Sequence, residues 1–352
     1  MNKKNRLTLI YILINIAIIL IIGILDPELK DIGQLFKRIK LSWIIGGVLS
    51  MGLYWLMDGL VLNYTTSIIS GKKDFLSSMK VAIIGQYYNA VTPFASGGQP
   101  VQIYYMGKYG IPGGSSSSIL LIKFLIFQVV LSLYCIAAFI FKGASIYYRA
   151  PLVFWFSVLG FVINAGSAVG LVALSFNKGF VKKLVFGLLS FAHKIRLVKD
   201  LEKARNTLMG HVEDFHRGFS IVRDNVKALL IMGLMTTIQF VGFFSVTYFV
   251  YRSFGLRGES WFNIIFMQSL LYLAVSFVPT PGSSGASEAG FMFFFQLFFP
   301  KELIFMCMLL WRLITYYLNI IVGGIVILID SIHNIVAAKS SPNFLSHSGG
   351  SN

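Results

Sequence analysis

Two nine-residue segments combine helix-breaking residues with groups that can bind an anion. TPFASGGQP runs from Thr92 to Pro100, and TPGSSGASE runs from Thr280 to Glu288. Aligned without gaps, they share Thr, Pro, Ser and Gly at the first, second, fifth and sixth positions. A helix that starts after such a break presents free N–H groups and a partial positive charge, and glycine lets the backbone approach a ligand. The pair predicts a duplicated anion site, with a lipid phosphate as its ligand, unless the helix ends are capped by neighbouring side chains.

Four ionisable residues lie inside apolar runs: Asp58, Lys123, Glu288 and Arg312. A charge at the centre of a membrane helix costs about 2.5–3.5 kcal/mol on insertion scales, so these residues are expected to face a cavity or each other. Glu288 can bind an amino headgroup, carry a proton, or only complement the dipole of its own helix. Lys123 and Arg312 are either phosphate partners or counter-ions to Asp58 and Glu288, and the pairing stays open at this stage.

The candidate site contains no metal or nucleotide motif. His211 and His216 are five residues apart, which puts them about 140° apart on a helix and does not suit one metal ion. GIPGGSSSS, from Gly110 to Ser118, lacks the Lys-Ser/Thr ending of a P-loop. No catalytic residue, metal or cofactor is therefore expected. The predicted substrate-binding residues are Thr92, Pro93, Ser96, Gly97, Gly98, Gln99, Pro281, Ser284, Gly285, Ser287, Glu288 and Arg312, with Asp58, Gln86, Asn89, Lys123 and Gln239 in support.

The elements that carry these residues are those of a membrane protein. Of the 352 residues, 56% are hydrophobic and 12% are charged, against about 25% charged in soluble domains. The net charge of +16 indicates a cytoplasmic surface facing anionic lipid, and no nucleic-acid motif accompanies it. A spanning helix needs about 20 mostly apolar residues. Six stretches qualify, at approximately 7–25, 41–62, 114–142, 150–176, 226–251 and 302–330.

The two motifs interrupt two further apolar regions, 75–110 and 260–299. The segment 177–227 carries eleven basic and five acidic residues, and the N-terminus is basic, so both are expected in the cytoplasm. Four full spans lie between them, which requires region 75–110 to enter and leave the membrane on one side as a re-entrant hairpin. The same reasoning puts region 260–299 on the opposite side. We expect an all-α protein of the cell membrane with six spans, two re-entrant hairpins in an inverted repeat, and both termini cytoplasmic.

Residues 1–330 are expected to form a single membrane domain. Within the cytoplasmic segment, apolar residues recur mostly every three or four positions from Val198 to Val222, which predicts an amphipathic helix against the membrane surface or the bundle. After Asp330 the chain turns polar, so residues 331–352 are expected to be a disordered tail. Cys135 and Cys307 lie in apolar runs and are interpreted as buried residues.

The two motifs in their wider context resemble a known membrane family. GQYYNAVTPFASGGQPVQIYYM (Gly85–Met106) with VPTPGSSGASEAGF (Val278–Phe291) is similar to the membrane region of lysylphosphatidylglycerol synthases, the multiple peptide resistance factors, and related stand-alone flippase-like proteins. The resemblance covers approximately residues 5–330. Many relatives carry P-G-G-x-G-x-x-E in the second motif; Pro281, Gly282, Gly285 and Glu288 match it, and Ser283 replaces the second glycine.

The resemblance implies lipid transport. In full-length relatives this membrane region moves aminoacylated phosphatidylglycerol between leaflets, and a separate soluble domain transfers the amino acid from tRNA. No segment of this sequence resembles that soluble domain. We therefore expect a non-enzymatic flippase for phosphatidylglycerol or its lysyl derivative, with the phospholipid and the anionic membrane surface as partners and a separately encoded synthase as a further candidate. The alternative is a phosphatidylglycerol lysyltransferase, or a membrane component of lysyl-phosphatidylglycerol synthesis, conferring resistance to cationic antimicrobial peptides.

Overall fold

The fold is built entirely from helices in the part of the chain that the structure describes. This structure is a computed structural model, and it describes residues 39–176 and 201–340 with a few positions between 179 and 190. No strand occurs among these residues, so the all-α prediction is confirmed. The α-helices are α1 (Leu41–Ser70), α2 (Phe75–Val91), α3 (Gly98–Lys108), α4 (Gly113–Arg149), α5 (Pro151–Phe176), α6 (Leu201–Arg223), α7 (Val226–Ser253), α8 (Trp261–Val275), α9 (Ala286–Phe295), α10 (Lys301–Arg312) and α11 (Leu318–Ser340).

Five helical stretches among these residues are long and apolar enough to cross a membrane. They correspond to five of the six predicted spans, and the other predicted span, 7–25, lies outside the described residues. A π-helical turn, Leu313–Tyr317, joins α10 to α11 without ending the stretch. The five are Leu41–Ser70, Gly113–Arg149, Pro151–Leu171, Val226–Ser253 and Lys301–Asp330.

Both predicted interruptions are present, and each separates two helical arms. In the first hairpin, a 3₁₀ turn at Pro93–Ala95 lies between α2 and α3; in the second, a 3₁₀ turn at Pro281–Ser283 lies between α8 and α9. The arms of the first hairpin pack on each other, and Gln102 Nε2 donates to the Val81 carbonyl at 3.3 Å. The arms of the second also pack on each other, and the two 3₁₀ turns are in contact.

The 188-residue offset between the motifs extends to the surrounding helices. Adding 188 to the bounds of α3 gives 286–296, and α9 is Ala286–Phe295. Adding 188 to the bounds of α4 gives 301–337, and α10 with α11 runs from Lys301 to Ser340. By the same shift α1 corresponds to α7, and α2 corresponds to α8. The repeat therefore covers four consecutive elements of each half.

The backbone repeats as closely as the helix bounds. Phe94 has φ 55°, and Gly282, 188 residues later, has φ 59°. Ala95 has φ 51°, and its counterpart Ser283 has φ 50°. Left-handed backbone at two successive positions is rare for residues other than glycine. Its recurrence at the same offset indicates that the two breaks are copies of one structure.

The corresponding helices α1 and α7 run antiparallel. The Lys40 N–H, at the start of α1, donates to the carbonyl of Ser253, at the end of α7, at 2.9 Å. Ten residues further along α1, Ser50 Oγ donates to the Gly242 carbonyl at 2.8 Å. Near the other end of α1, Thr65 contacts Met232. The two halves are therefore inverted with respect to each other.

The predicted amphipathic helix is present as α6, and it packs on the bundle. Val212, Phe219 and Val222 are buried, and the main contact of α6 is with α4. Residues 331–340 were expected to belong to a disordered tail, but α11 continues ten residues beyond Asp330, to Ser340. Ile332, Ile335 and Val336 recur at helical spacing, which favours continuation of the helix. Residues 341–352 lie outside the described part.

The inverted threading can be tested by labelling introduced cysteines. The native residues Cys135 and Cys307 are both 0% exposed, so they give little background. Ser145 and Arg257 are exposed at the end of α4 and after α7, whereas Ser253 is buried and unsuitable for labelling. In intact cells we expect an impermeant maleimide to label Ser145→Cys and Arg257→Cys. Arg217→Cys, on α6, should react only after permeabilisation, and its reaction in intact cells would reverse the predicted orientation.

Candidate functional site

A polar cavity of about 430 Å³ lies beside the first break. Its walls come from α1, α2, the first break, α3 and α4, and from Tyr272 of the other half. Phe94, on the wall formed by the break, is 63% exposed, so this side of the cavity is open. We call it the first cavity. Its polar lining is Asp58, Gln86, Asn89, Ser96, Gln99, Gln102 and Lys123, and aromatic side chains of Tyr54, Phe94, Phe124, Phe127 and Tyr272 complete it.

A buried ion pair forms one wall of the first cavity. Lys123 Nζ, from α4, lies 2.7 Å from Asp58 Oδ1, from α1. Gln239 Nε2 donates to the same oxygen at 2.9 Å, and Gln86 Nε2 donates to the other oxygen, Oδ2, at 3.3 Å. The Asp58 side chain is 2% exposed and that of Lys123 is 14% exposed. Lys123 is thus the more accessible partner, and its ammonium can bind an anion in the cavity.

A second cavity of about 200 Å³ lies next to the first, beside the second break. Some residues line both cavities, so only a thin layer of side chains separates them. The second cavity is lined in part by Gln268, Ser283, Ser287, Arg312 and Asn319. The shared wall residues are Tyr54, Gln86, Asn89, Ala95 and Tyr272.

The second cavity also has a buried ion pair, but this pair is held more firmly. Arg312 Nε donates to Glu288 Oε1 at 2.6 Å, and the guanidinium also donates to the Gly282 carbonyl at 3.2 Å. The guanidinium carbon lies 4.7 Å from the ring centroid of Tyr316 and 5.5 Å from that of Trp311. Cation–π contacts of this kind fix an arginine more rigidly than a single ion pair does. Sequence reasoning left the two pairings open, and the structure gives Asp58–Lys123 and Glu288–Arg312.

Three backbone N–H groups at the breaks bond to side chains of the protein, contrary to the expectation of free N–H groups. At the start of α3, the Gly97 N–H donates to Thr92 Oγ1 at 2.8 Å, and the Gly98 N–H donates to Asn89 Oδ1 at 3.0 Å. At the start of α9, the Gly285 N–H donates to Glu288 Oε2 at 2.6 Å. The expectation was wrong for these three groups because the side chains of Thr92, Asn89 and Glu288 lie within hydrogen-bonding distance of them. These three groups are therefore not available to an anion.

The first break has a strained backbone. Phe94 and Ala95 both have positive φ, a conformation that costs about 1–3 kcal/mol for such residues. Gly98 is required there for a different reason, since a Cβ on it would lie 2.6 Å from the Gly85 carbonyl oxygen. Close packing and strain of this kind are typical of functional sites, where the surrounding structure holds an unfavourable conformation.

The predicted site residues fall into two groups. Asp58, Gln86, Asn89, Ser96, Gln99 and Lys123 line the first cavity, and Ser287 and Arg312 line the second. The other predicted residues stabilise the breaks and the ion pairs. At the breaks, Thr92 and Gly97 bond to each other, Pro93 and Pro281 begin the 3₁₀ turns, Ser284 donates to the Pro281 carbonyl, and Gly98 and Gly285 donate to side chains. Gln239 bonds to Asp58, and Glu288 bonds to Arg312.

The sequence patterns did not predict the aromatic lining of the cavities. Phe124 and Phe127 follow Lys123 on α4, and Trp311 and Tyr316 flank Arg312, so their proximity to a membrane-embedded cation was an available signal. Tyr272 has no such signal, because it reaches the first cavity from the other half of the molecule.

The Glu288–Arg312 pair predicts a large cost for a conservative change. Glu288→Gln removes the charge partner of a guanidinium that is 4% exposed, and breaking a buried pair in this way costs about 3–5 kcal/mol. Glu302 is a matched control, since it is exposed in the first turn of α10. Glu302→Gln should cost only about 0.3–1 kcal/mol. Reversible unfolding in mixed micelles measures both, and equal small losses would contradict a stabilising role for the pair.

Comparison with known proteins agrees with this architecture. The family model for the lysylphosphatidylglycerol synthase TM region matches residues 11–323, which include both hairpins and α1 to α10. The chain is also similar to a UPF0104 membrane protein of Archaeoglobus fulgidus. The two are 24% identical over 333 residues, covering 90% of this chain and 95% of that protein. With five apolar helices of spanning length and a family match over most of its length, this chain is a membrane protein that belongs to the lysylphosphatidylglycerol synthase TM region family.

Proposed function

We propose that this protein moves a phospholipid, phosphatidylglycerol or its lysyl derivative, between the leaflets of the cell membrane. The observation that carries the proposal is the first cavity, where the Asp58–Lys123 ion pair and several polar side chains lie among long apolar helices. Polar and charged groups inside a membrane domain are costly and usually mark a substrate path. The membership of the lysylphosphatidylglycerol synthase TM region family supports a lipid of this class.

The size and lining of the first cavity suit a phospholipid headgroup. Its volume of about 430 Å³ falls within the roughly 300–1,000 Å³ of small-molecule sites. In the proposed complex the Lys123 ammonium and the Gln99 amide donate to the phosphate, because charge-assisted hydrogen bonds to phosphate are the stronger ones. Gln86 and Asn89 bind the headgroup hydroxyls. The acyl chains stay outside in the bilayer, beyond the exposed wall at Phe94.

The inverted halves support transport in both directions across the membrane. In this proposal the two hairpins re-enter the membrane from opposite sides, and the N- and C-termini are cytoplasmic. The headgroup passes between the first and the second cavity through the shared wall at Gln86 and Asn89. Inverted repeats with broken helices at their interface are the arrangement of many secondary transporters, in which one half moves against the other.

Reconstituted vesicles provide the test. Purified protein in liposomes with a trace of acyl-labelled phosphatidylglycerol or its lysyl ester should speed leaflet exchange over empty vesicles, read as the label protected from an impermeant quencher. Loss of one charge-assisted hydrogen bond is worth about 1.5–3 kcal/mol, so Lys123→Gln should slow exchange by about 10-fold or more.

Two further variants separate a transport defect from misfolding. Lys227→Gln changes an exposed lysine in the first turn of α7 and should exchange lipid at the wild-type rate. The double variant Asp58→Asn/Lys123→Gln leaves no unpaired charge, so it should fold yet remain slow. Wild-type vesicles no faster than empty ones for both lipids would refute the proposal, and a new lysyl lipid in cells expressing the chain would favour a synthetic role instead.

A further inference from the structure

The two buried ion pairs differ in how easily their partners can exchange. Lys123 is a flexible side chain with a compact ammonium, and its partner Asp58 is otherwise held by two amide groups, from Gln86 and Gln239. Arg312, in contrast, binds Glu288 and the Gly282 carbonyl and lies against two aromatic rings. Lysine is a point charge that can turn to a new partner, whereas a fixed guanidinium cannot do so without losing several contacts. An incoming anion can therefore take Lys123 but not Arg312.

Because of the charge balance in the first cavity, this exchange is energetically unfavourable unless a proton also binds there. Among the described residues that line it, the charged groups are one carboxylate, Asp58, and one ammonium, Lys123. The cavity is thus electrically neutral before a ligand binds. A phosphodiester that pairs with Lys123 leaves the Asp58 carboxylate, 2% exposed, as an uncompensated charge next to another anion. Burying an unpaired carboxylate is among the largest electrostatic costs in proteins, and protonation removes it.

We infer that Asp58 is a proton-binding site coupled to the lipid: the phosphodiester of an anionic phospholipid displaces Asp58 from Lys123, and Asp58 takes up one proton from the aqueous phase. The Asp58 carboxylate becomes a neutral carboxylic acid, and Lys123 keeps its charge and pairs with the phosphate. One lipid anion and one proton then cross together, without net charge movement. This inference rests on the proposed function and identifies its coupling ion and the charge of its substrate.

The neighbours of Asp58 can accommodate both of its forms. The titratable neighbours of Asp58 are Tyr54 on α1, Lys123 on α4 and Tyr272 on α8. Helices α2 and α7 contribute the amides of Gln86 and Gln239. The amide nitrogens donate to the carboxylate in the structure. A rotated glutamine amide presents its oxygen instead, which accepts the hydrogen bond of a protonated carboxyl group. The protonated carboxyl group can therefore keep a hydrogen-bond partner.

Glu288 does not fit the same role. Its two oxygens accept from the Arg312 guanidinium and from the Gly285 N–H. An anion cannot displace Glu288 from Arg312 without breaking the other contacts of the guanidinium, with the Gly282 carbonyl and two aromatic rings. Glu288 is therefore the fixed counterpart of the exchangeable pair.

Proton uptake on binding is the first measurement. Glycerophosphoglycerol, the soluble headgroup of phosphatidylglycerol, keeps a single negative charge near neutral pH and serves as the probe for the full chain in detergent. Calorimetry in two buffers with different ionisation enthalpies gives the protons bound per anion. We expect about one for the wild type and none for Asp58→Asn, which should still bind. Binding without proton uptake by the wild type, equal uptake by the variant, or no saturable wild-type binding would overturn the inference.

Transport under a pH gradient is the second measurement. With a difference of one pH unit, one-to-one coupling should enrich a trace of labelled phosphatidylglycerol about 10-fold in the leaflet facing the alkaline compartment. Asp58→Asn should exchange the lipid but reach equal labelling of both leaflets. Wild-type exchange that ignores the gradient would refute the coupling and leave the proposed function standing. No exchange at all would refute the proposed function.

Control variants keep these results interpretable. Asp224→Asn removes a carboxylate that pairs with Arg223 on the surface, and it should match the wild type in both assays. If Asp58→Asn does not fold, Lys123→Arg tests the same step, because it keeps the charge but replaces the exchangeable ammonium with a guanidinium. That variant should bind the probe with reduced proton uptake, and full wild-type uptake in it would contradict the partner exchange.

Discussion

The antiparallel packing of α1 on α7 is the interaction on which the rest of the structure depends. These two corresponding helices form the most extensive helix–helix contact in the described part of the chain, from Lys40–Ser253 at one end to Thr65–Met232 at the other. Their packing holds the two halves in inverted orientation and brings Gln239 to Asp58. Because each hairpin follows its own member of this pair, the packing also brings the two breaks into contact.

A second constraint acts at the breaks themselves. A helix interrupted among apolar neighbours exposes backbone groups that lipid cannot satisfy, so the protein must supply partners. The two halves meet this requirement in different ways: Thr92 and Asn89 cap α3 with neutral side chains, and Glu288 caps α9 with a carboxylate that Arg312 compensates. The same turn geometry is thus stabilised by neutral side chains in one half and by a buried ion pair in the other.

Local patterns in the sequence were enough to predict the apolar helices, the two breaks and the helix α6. They also singled out the four ionisable residues inside apolar runs. Each depends on composition or spacing within one segment. The pairing of the charges was not accessible, since Asp58 and Lys123 lie on different helices and could have met other partners. The positive φ of Phe94 and Ala95 could not be predicted either, because neither residue type favours it. It becomes recognisable only in the structure, where Phe94 corresponds to Gly282. Tyr272 reaches the first cavity through the packing of the two halves, which no local pattern encodes.

Photolabelling can show directly whether the first cavity holds a phospholipid headgroup, as we propose. A phosphatidylglycerol with a photoreactive group on its headgroup would be incorporated with the protein into vesicles, irradiated, and the labelled residues mapped by peptide mass spectrometry. We expect adducts within Gln86–Pro100 and Leu120–Phe127, with labelling suppressed by unlabelled phosphatidylglycerol and lost in Lys123→Gln. Adducts confined to helix ends such as Tyr148, or labelling unchanged in Lys123→Gln, would contradict it.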